Sequence, residues 1–139
     1  MNKNYPLAGL IHNISKSQMK YLKLKCNEFD LNHDVVYVML IYDNPNISQD
    51  ELLKFTHQSK GNLAKILKKL EDGGFIEREI NPENRRKYML KTTSKGNELV
   101  PKIRQISLDW EKEVGISDED YKLKERLNQI ALKSSKLIE

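Results

Sequence analysis

The amino-acid sequence predicts a mainly α-helical fold that contains one small β-hairpin. Three observations support this prediction. Most of the 139 residues lie in segments whose apolar side chains recur at helical spacing, one segment alternates apolar and charged side chains, and turn-forming residues separate these segments. Apolar residues make up 38% of the chain and charged residues 32%, which is typical of a folded protein with a polar surface.

The first two helices are predicted on either side of a short break. The first opens after Pro6, a residue that favours a helix start, and is amphipathic up to about Asn27. Asn32 is expected to be the N-cap of a short helix over residues 35–42, which the turn Asn44-Pro45-Asn46 ends. Because the second helix is apolar on nearly every side, we expect it at the centre of the core.

Two more short helices are predicted between residues 48 and 74. Ser48-Gln49-Asp50-Glu51 has the spacing of a capping box, in which the hydroxyl and the carboxylate each bind a free backbone N–H group. Ser59 is expected to cap the next helix, whose apolar side chains follow an i, i+3, i+4, i+7 pattern as far as Gly73-Gly74. Two short helices joined by a tight turn are typical of a helix-turn-helix.

A β-hairpin is predicted directly after these helices. Residues 75–80 alternate apolar and charged side chains like a half-buried strand, and Asn81-Pro82-Glu83-Asn84 has the composition of a turn. Residues 87–92 are expected to return as the second strand, with Arg85 and Arg86 at the tip. A helix-turn-helix followed by such a hairpin, or wing, predicts a winged helix-turn-helix domain.

The C-terminal part is predicted to contain two amphipathic helices. The first is capped by Thr93 or Ser94, contains Pro101, where we expect a kink, and closes at Gly115. The second begins at Ser117, has acidic residues in its first turn and forms an apolar seam. The seam consists of Leu123, Leu127, Ile130 and Leu137. A seam of this kind favours contact with partner helices.

Several classes of protein are disfavoured by what the sequence lacks. It has no signal-peptide pattern and no apolar run of about 20 residues, so we expect a cytoplasmic protein that does not enter a membrane. The single cysteine, Cys26, cannot form an intramolecular disulfide or a cysteine-rich zinc site. Metalloprotease, nucleophile-elbow and phosphate-loop motifs are also missing, which disfavours an enzyme, and no cofactor is predicted.

The positive charge is concentrated in one segment. Residues 57–95 hold ten Lys/Arg against five Asp/Glu, so their net charge of +5 exceeds the +4 of the whole chain. A local basic surface favours a polyanionic partner, because each neutralised phosphate releases counterions. Asparagine can bond to adenine, lysine can reach guanine or phosphate, and an arginine-rich wing can enter the minor groove of double-stranded DNA. The predicted DNA-contacting residues are Ser59, Lys60, Gly61, Asn62, Lys65, Lys69, Arg85, Arg86 and Lys87.

Alternative interpretations exist for several of these side chains. The lysines on the helix that follows Ser59 are equally compatible with an ordinary solvated helix face. Arg78, Lys87 and Lys91 are weaker candidates, since exposed strand residues are often charged only to prevent edge pairing.

The sequence from Ile47-Ser48-Gln49 to Ser94-Lys95-Gly96 resembles the MarR family of regulators. The most specific features are Leu70-Glu71-Asp72-Gly73-Gly74-Phe75-Ile76-Glu77-Arg78, at the junction of helix and wing, and the wing motif Asp-x-Arg followed by Leu-Thr. Arg86 matches the arginine of that motif. Asn84 replaces its aspartate and Thr92 its leucine, which removes a carboxylate from the wing.

This resemblance implies a symmetric homodimer that binds a near-palindromic operator, with one recognition helix in each half-site. Residues 1–139 would form one unit, in which residues 31–96 are the DNA-binding lobe and residues 1–30 and 97–139 supply the dimerisation helices. The family often responds to small aromatic ligands, and His12 and Tyr37 are candidates to line a ligand cleft, although core or interface packing is the simpler interpretation for both. Some members sense oxidants through a cysteine in the first helix, whereas a buried thiol is the simpler interpretation of Cys26.

Two other binding functions are alternatives to DNA binding. A winged helix can serve as a protein–protein adaptor, but an adaptor does not need both a lysine-faced helix and an arginine-rich wing. Recognition of single-stranded RNA usually employs aromatic platforms beside a basic surface, and none is evident in the sequence. Double-stranded DNA is therefore the partner that the sequence favours.

Overall fold

The computed structural model describes residues 2–27, 30 and 32–139. It confirms the predicted fold class, because six α-helices accompany one small antiparallel sheet in the described residues. The chain divides into two compact units, one reaching to Ile106 and the other covering Ser107–Glu139. The helices are α1 (Leu7–Lys25), α2 (Val35–Asp43), α3 (Gln49–Lys54), α4 (Lys60–Asp72), α5 (Ser94–Glu113) and α6 (Tyr121–Lys136), and the strands are β1 (Ile47–Ser48), β2 (Ile76–Asn81) and β3 (Asn84–Thr92).

The start of α2 differs from the sequence prediction. Its N-cap position is Asp34, not Asn32, and the Asp34 side chain makes no capping hydrogen bond. Asn32 lies two residues before this position, and its Oδ1 atom accepts a hydrogen bond from the Asp34 backbone N–H at 2.8 Å. The asparagine therefore stabilises the turn that leads into α2, an alternative that the same side-chain chemistry allows.

The predicted caps of α3 and α4 are both confirmed. The Ser48 hydroxyl accepts a hydrogen bond from the Glu51 N–H, and the Glu51 carboxylate accepts one from the Ser48 N–H, which completes the capping box of α3. The Ser59 hydroxyl accepts a hydrogen bond from the Asn62 N–H at the start of α4. These bonds satisfy backbone donors that the helices themselves leave unpaired.

The sheet has three strands in the order β1-β3-β2, and both pairings are antiparallel. Strand β1 was not predicted from the sequence, and its two residues pair with Leu90 and Met89 of β3. The predicted start of β3 was too late, because this strand begins at Asn84 and not at Lys87. The central strand is therefore β3, which joins the helix-turn-helix to the wing.

The junction between the wing and α5 is held by Thr93. Its hydroxyl donates a hydrogen bond to the Gly74 carbonyl oxygen at 2.5 Å and accepts one from the Gly96 N–H at 3.3 Å. Its backbone N–H donates to the Phe75 carbonyl oxygen at 3.1 Å. A β-carbon on residue 96 would lie 2.4 Å from that same carbonyl oxygen, so only glycine fits there.

The core of the first unit comprises two clusters of buried apolar side chains. The larger cluster joins α2, the helix-turn-helix and the sheet, and Val38, Ile41 and Leu67 are among its most deeply buried members. The smaller cluster consists of Leu22, Cys26, Val35, Leu99 and Ile103. Phe75 and Met39 pack against both clusters, so the end of α1 and the first turns of α5 share a core with the winged module.

In the second unit, the end of α5 is linked to α6. The left-handed backbone of Gly115, with φ of +84°, closes α5, and the Ile116 N–H donates to the Glu111 carbonyl oxygen at 2.8 Å. Ser117 and Asp120 form a second capping box. Lys124 and Glu111 form an ion pair of 2.6 Å across the turn. None of the helices in the described part of the chain has the length and apolarity that a membrane span requires.

Candidate nucleic-acid interface

The exposed side of α4 presents the residues predicted for the recognition helix. Leu63, Leu67 and Leu70 are buried and hold the opposite side of the helix against the core. Because an α-helix repeats every 3.6 residues, this arrangement leaves the polar residues of the first two turns in solvent. The exposed residues are Lys60, Gly61, Asn62 and Lys65.

The side chain of Asn62 has a partner that the sequence analysis did not identify. Its amide nitrogen Nδ2 donates a hydrogen bond to Oε1 of Gln58, four residues earlier. This contact leaves the Asn62 Oδ1 atom and one N–H available for a ligand, the pair of groups that asparagine uses to bind adenine. Gln58 could have been recognised only from the i, i+4 spacing of two amides across the helix start.

The lysines of α4 differ in their ion pairing. Lys68 pairs with Asp72 at 2.7 Å, and Lys69 lies 3.8 Å from the Asp34 carboxylate. Within residues 2–27, 30 and 32–139, neither Lys60 nor Lys65 has an ion-pair partner. The unneutralised positive charge is therefore greatest on the first two turns of α4.

The wing presents its basic residues on a bulge and not at the tip. Ile80 pairs with Tyr88 and Asn81 pairs with Asn84, so the register shifts between the two pairs and three residues of β3 have no partner on β2. The turn itself contains only Pro82 and Glu83. The residues without a partner on β2 are Arg85, Arg86 and Lys87. Bulges of this kind redirect side chains away from the regular ladder.

Asn84 stabilises the wing without a carboxylate. Its Oδ1 atom accepts a hydrogen bond from the Arg86 backbone N–H at 3.2 Å. The amide therefore orders the backbone of the bulge and leaves the Arg86 guanidinium unpaired by described residues. An aspartate at this position could form a salt bridge, whereas Asn84 forms an Asx-turn.

A cleft of about 210 Å³ separates the start of α4 from the wing. It brings together Lys60, Arg86 and Lys87, which the sequence predicted, and four residues that it did not predict as site residues. The additional residues are Ser48, Gln49, Asp50 and Tyr88. Asp50 lies 3.7 Å from the Lys87 ammonium group. The pairing of β1 with β3 brings these residues together, and no local sequence signal reveals it.

Arg78 and Lys91 are engaged in contacts within the fold. The Arg78 Nε atom lies 2.8 Å from a carboxylate oxygen of Glu71, which links β2 to the end of α4, although the angle is too poor for a hydrogen bond. Lys91 forms cross-strand ion pairs with Glu77 and Glu79. Both cations are therefore largely neutralised by carboxylates of the chain.

A second cavity, of about 320 Å³, lies in the first unit beside the end of α4. Its apolar lining includes Val38, Leu70 and Phe75, and its polar lining includes Lys69 and Asp34. Neither His12 nor Tyr37 lines it. His12 is exposed on α1, whereas Tyr37 is buried in the larger core cluster.

Cys26 is the single free cysteine and lies in the smaller core cluster. No group of three or more His, Cys, Asp or Glu side chains in the described residues is arranged to hold a metal ion.

Comparisons with known proteins agree with this architecture. The sequence model of the MarR family matches residues 33–88. The HTH-type transcriptional regulator BilQ of Clostridioides difficile is 27% identical over 84% of this chain and 80% of its own length. A crystal structure of MarR is 33% identical and superposes with a TM-score of 0.81 over 99% of this chain and 96% of that one.

One solved structure also shares the fold with a nucleic acid bound. It is a mutant MarR from E. coli, described as complexed with operator DNA, and it is 24% identical with a TM-score of 0.73 over 94% of this chain and 96% of that one. At that identity the likeness concerns the fold alone. The fuller match to the first MarR structure and the shared winged helix-turn-helix together place this chain in the MarR family of transcriptional regulators.

Proposed function

We propose that this protein is a repressor that binds a near-palindromic operator in double-stranded DNA as a homodimer. The observation that carries the proposal is a cluster of cations without ion-pair partners among the described residues, namely Lys60 and Lys65 on the first turns of α4 and Arg85 and Arg86 on the bulge of the wing. Phosphate contacts supply most of the affinity of such proteins for DNA, and cations already paired within the chain would supply less.

The two basic elements have different proposed roles. The exposed side of α4 enters the major groove, where Asn62 and Lys65 contact base edges and Lys60 contacts phosphate. The wing lies along the backbone and inserts Arg86 into the minor groove, where a narrow groove concentrates negative potential. The remaining proposed contacts come from Ser59, Gly61, Lys69, Arg85 and Lys87.

The proposed dimer uses the terminal helices, with residues 31–96 as the DNA-binding lobe and residues 1–30 and 97–139 outside it. On α1, Leu7, Ile11 and Ile14 are exposed at helical spacing. In the second unit, Leu123 and Leu127 of α6 are exposed in the same manner. Exposed apolar stripes of this kind are typical of surfaces that a partner covers.

The test is fluorescence-anisotropy binding of the purified protein to DNA from upstream of its own gene and to a scrambled duplex, over a series of salt concentrations. We expect tighter binding to the upstream duplex. On both duplexes the logarithm of the binding constant should fall linearly with the logarithm of the salt concentration, with a slope that corresponds to the release of several ions. A reporter gene behind the same upstream DNA should then be repressed. Failure to bind either duplex at low salt would favour a protein–protein adaptor.

The cavity of about 320 Å³ beside α4 is the proposed site for a small aromatic ligand that alters DNA binding. Its apolar floor would contact a ring, and Lys69 would attract an acidic substituent. His12 and Tyr37 remain alternative candidates for a ligand cleft. Titration with benzoate derivatives should weaken DNA binding in the wild type, and Asp34→Trp, which places a large ring at the partly exposed lining of the cavity, should abolish that response.

A further inference from the structure

The cleft between α4 and the wing contains a carboxylate among three cations. Lys60, Arg86 and Lys87 line it, and Asp50 is the one acidic residue among the described lining residues. The Asp50 carboxylate and the Lys87 ammonium group are 3.7 Å apart. The cleft therefore carries a formal net charge of +2, one less than its three cations alone would give.

Asp50 is not needed for the cap of α3. The capping box uses Ser48 and Glu51, and the Asp50 carboxylate makes no hydrogen bond to the backbone in the described part of the chain. The side chains of Asp50 and Lys87 are 57% and 51% exposed. An ion pair between side chains this exposed is weak, because water screens it, so a stronger anion can displace the carboxylate from the lysine.

We infer that the cleft binds one backbone phosphate of the DNA and that Asp50 competes with this phosphate for Lys87. This inference rests on the proposed function. A phosphate fits the cleft because Lys60 and Lys87, from two elements, line a space of about 210 Å³ together with Tyr88, and this leaves Arg86 available for the minor groove. Once the phosphate is bound, the displaced carboxylate remains close to it and repels it.

The competition lowers the affinity of the protein for every DNA sequence. A phosphate contact carries no sequence information, so Asp50 lowers the affinity for operator DNA and for non-operator DNA by the same factor. The ratio of the two affinities is unchanged, and the protein spends less time on non-operator DNA at a given concentration. Asp50 is thus a residue that sets affinity without reading bases.

The experiment compares the wild type with Asp50→Asn, which keeps the shape of the side chain and removes its charge. Anisotropy titrations use the upstream duplex and the scrambled duplex over the same salt series. We expect roughly fivefold tighter binding for each of the two clefts of a dimer, or roughly 25-fold on both duplexes, as for one unit charge at about 4 Å in water at each site. The salt slope should become steeper, by at most about 1.8 for the two clefts of a dimer, because the carboxylate no longer neutralises part of the charge that faces each phosphate.

Two further variants separate the local effect from trivial causes. Asp50→Glu keeps the charge and should bind within about twofold of the wild type. Asp43→Asn, at the exposed end of α2 and outside both the cleft and the proposed dimer helices, changes the net charge of the protein by the same amount and should leave DNA binding unaltered. Circular dichroism of each variant checks that the fold is retained.

The outcomes distinguish this inference from the proposed function. If the wild type binds DNA with the expected salt dependence but Asp50→Asn binds no more tightly, the inference is wrong and the proposed function stands. Tighter binding to only one of the two duplexes would also overturn it, because Asp50 would then affect sequence recognition. If the wild type binds neither duplex at low salt, both are wrong.

Discussion

At the scale of single residues, the recognition helix combines groups of different chemistry at its first turn. Asn62 offers a hydrogen-bonding amide that Gln58 orients, whereas Lys60 and Lys65 offer charges without described ion-pair partners. Gly61 has no side chain, and a β-carbon added there would contact no other atom within 4 Å in the free protein. Its role can therefore be tested separately from the stability of the fold.

We predict that Gly61→Ala stabilises the protein and weakens its binding to DNA. Alanine favours a helix over glycine by up to about 1 kcal/mol, and the new methyl group meets open space in the free protein. On DNA it would lie where the helix approaches the groove wall. Urea denaturation should show the higher stability, and anisotropy should show the weaker binding. Unchanged DNA affinity would contradict a close approach at Gly61.

We also predict that Arg86→Ala and Asn62→Ala weaken DNA binding in different ways. Loss of the arginine from both protomers should reduce affinity for all sequences and make the salt slope shallower by about two ions for the dimer. Loss of the asparagine should reduce the preference for the operator by the equivalent of about 1–3 kcal/mol and leave the salt slope nearly unchanged. Anisotropy on both duplexes measures both effects. Equal losses on all DNA from both variants would be incompatible with this division of roles.

At the scale of secondary-structure elements, short helices depend on their caps. The Glu51 carboxylate accepts a hydrogen bond of 2.8 Å from the Ser48 backbone N–H, and this bond, followed by the Ser48 hydroxyl, lowers the pKa of Glu51 below its ordinary value of 4.5. A carboxyl whose pKa is lowered by folding stabilises the folded state above its ordinary pKa. That stabilisation is lost as the pH falls through the lower folded value.

We predict that Ser48→Ala destabilises the protein by about 1 kcal/mol at neutral pH, as is usual when an N-cap is removed. Urea denaturation measures this difference in the free energy of unfolding. Ser15→Ala, in the exposed interior of α1, removes a hydroxyl that caps no helix and should be neutral or slightly stabilising. A comparable loss in both variants would show that the cap contributes nothing specific.

The same scale shows what the sequence could and could not predict. The positions of α3 and α4 followed from Ser48 and Ser59, because a cap and a helical period are local signals. The strand β1 was missed, since two residues are too few to display a period and their partners lie on β3. The bulge that carries Arg86 was missed for the same reason, because the register of two strands is a tertiary property.

Some residues of the candidate site could likewise be predicted from the sequence and others could not. The basic residues were predictable from composition and helical spacing, whereas Asp50 and Tyr88 joined them only through the pairing of distant segments. The clearest example is Asp50, which the sequence indicates only as a residue within the capping-box segment. In the structure it lies beside Lys87, where it would compete with the proposed phosphate.

At the scale of the whole molecule, the exposed apolar side chains require explanation. Leu123 and Leu127 of α6 are 51% and 37% exposed, and Leu137 is 86% exposed. Together with Ile130 they follow the steps of four and three that the sequence predicted for a helix seam, with Ser134 at the intervening position. Covering these residues in a second protomer would remove apolar area from water at roughly 25 cal/mol per Å².

We predict that Leu127→Asp shifts the protein from dimer to monomer and weakens operator binding by at least tenfold. A buried aspartate would lose hydration without a partner, and a monomer would contact only one half-site. Size-exclusion chromatography with light scattering measures the mass. Asn128→Asp makes the same charge change at the next, exposed position of α6 and should remain dimeric. A monomeric wild type would rule out the proposed dimer itself.

The hydrogen bonds of Thr93 and Lys95 at the junction of the wing and α5 have a mechanical consequence. One side chain and its backbone bind the Gly74 carbonyl, the Phe75 carbonyl and the Gly96 N–H, while Lys95 donates a hydrogen bond of 2.8 Å to the Gly73 carbonyl. Three of these hydrogen bonds therefore link the beginning of α5 directly to residues at the end of α4, in addition to the chain that runs through the wing. In the DNA complex proposed above, these hydrogen bonds would transmit a rotation of the first turns of α5 to the end of α4.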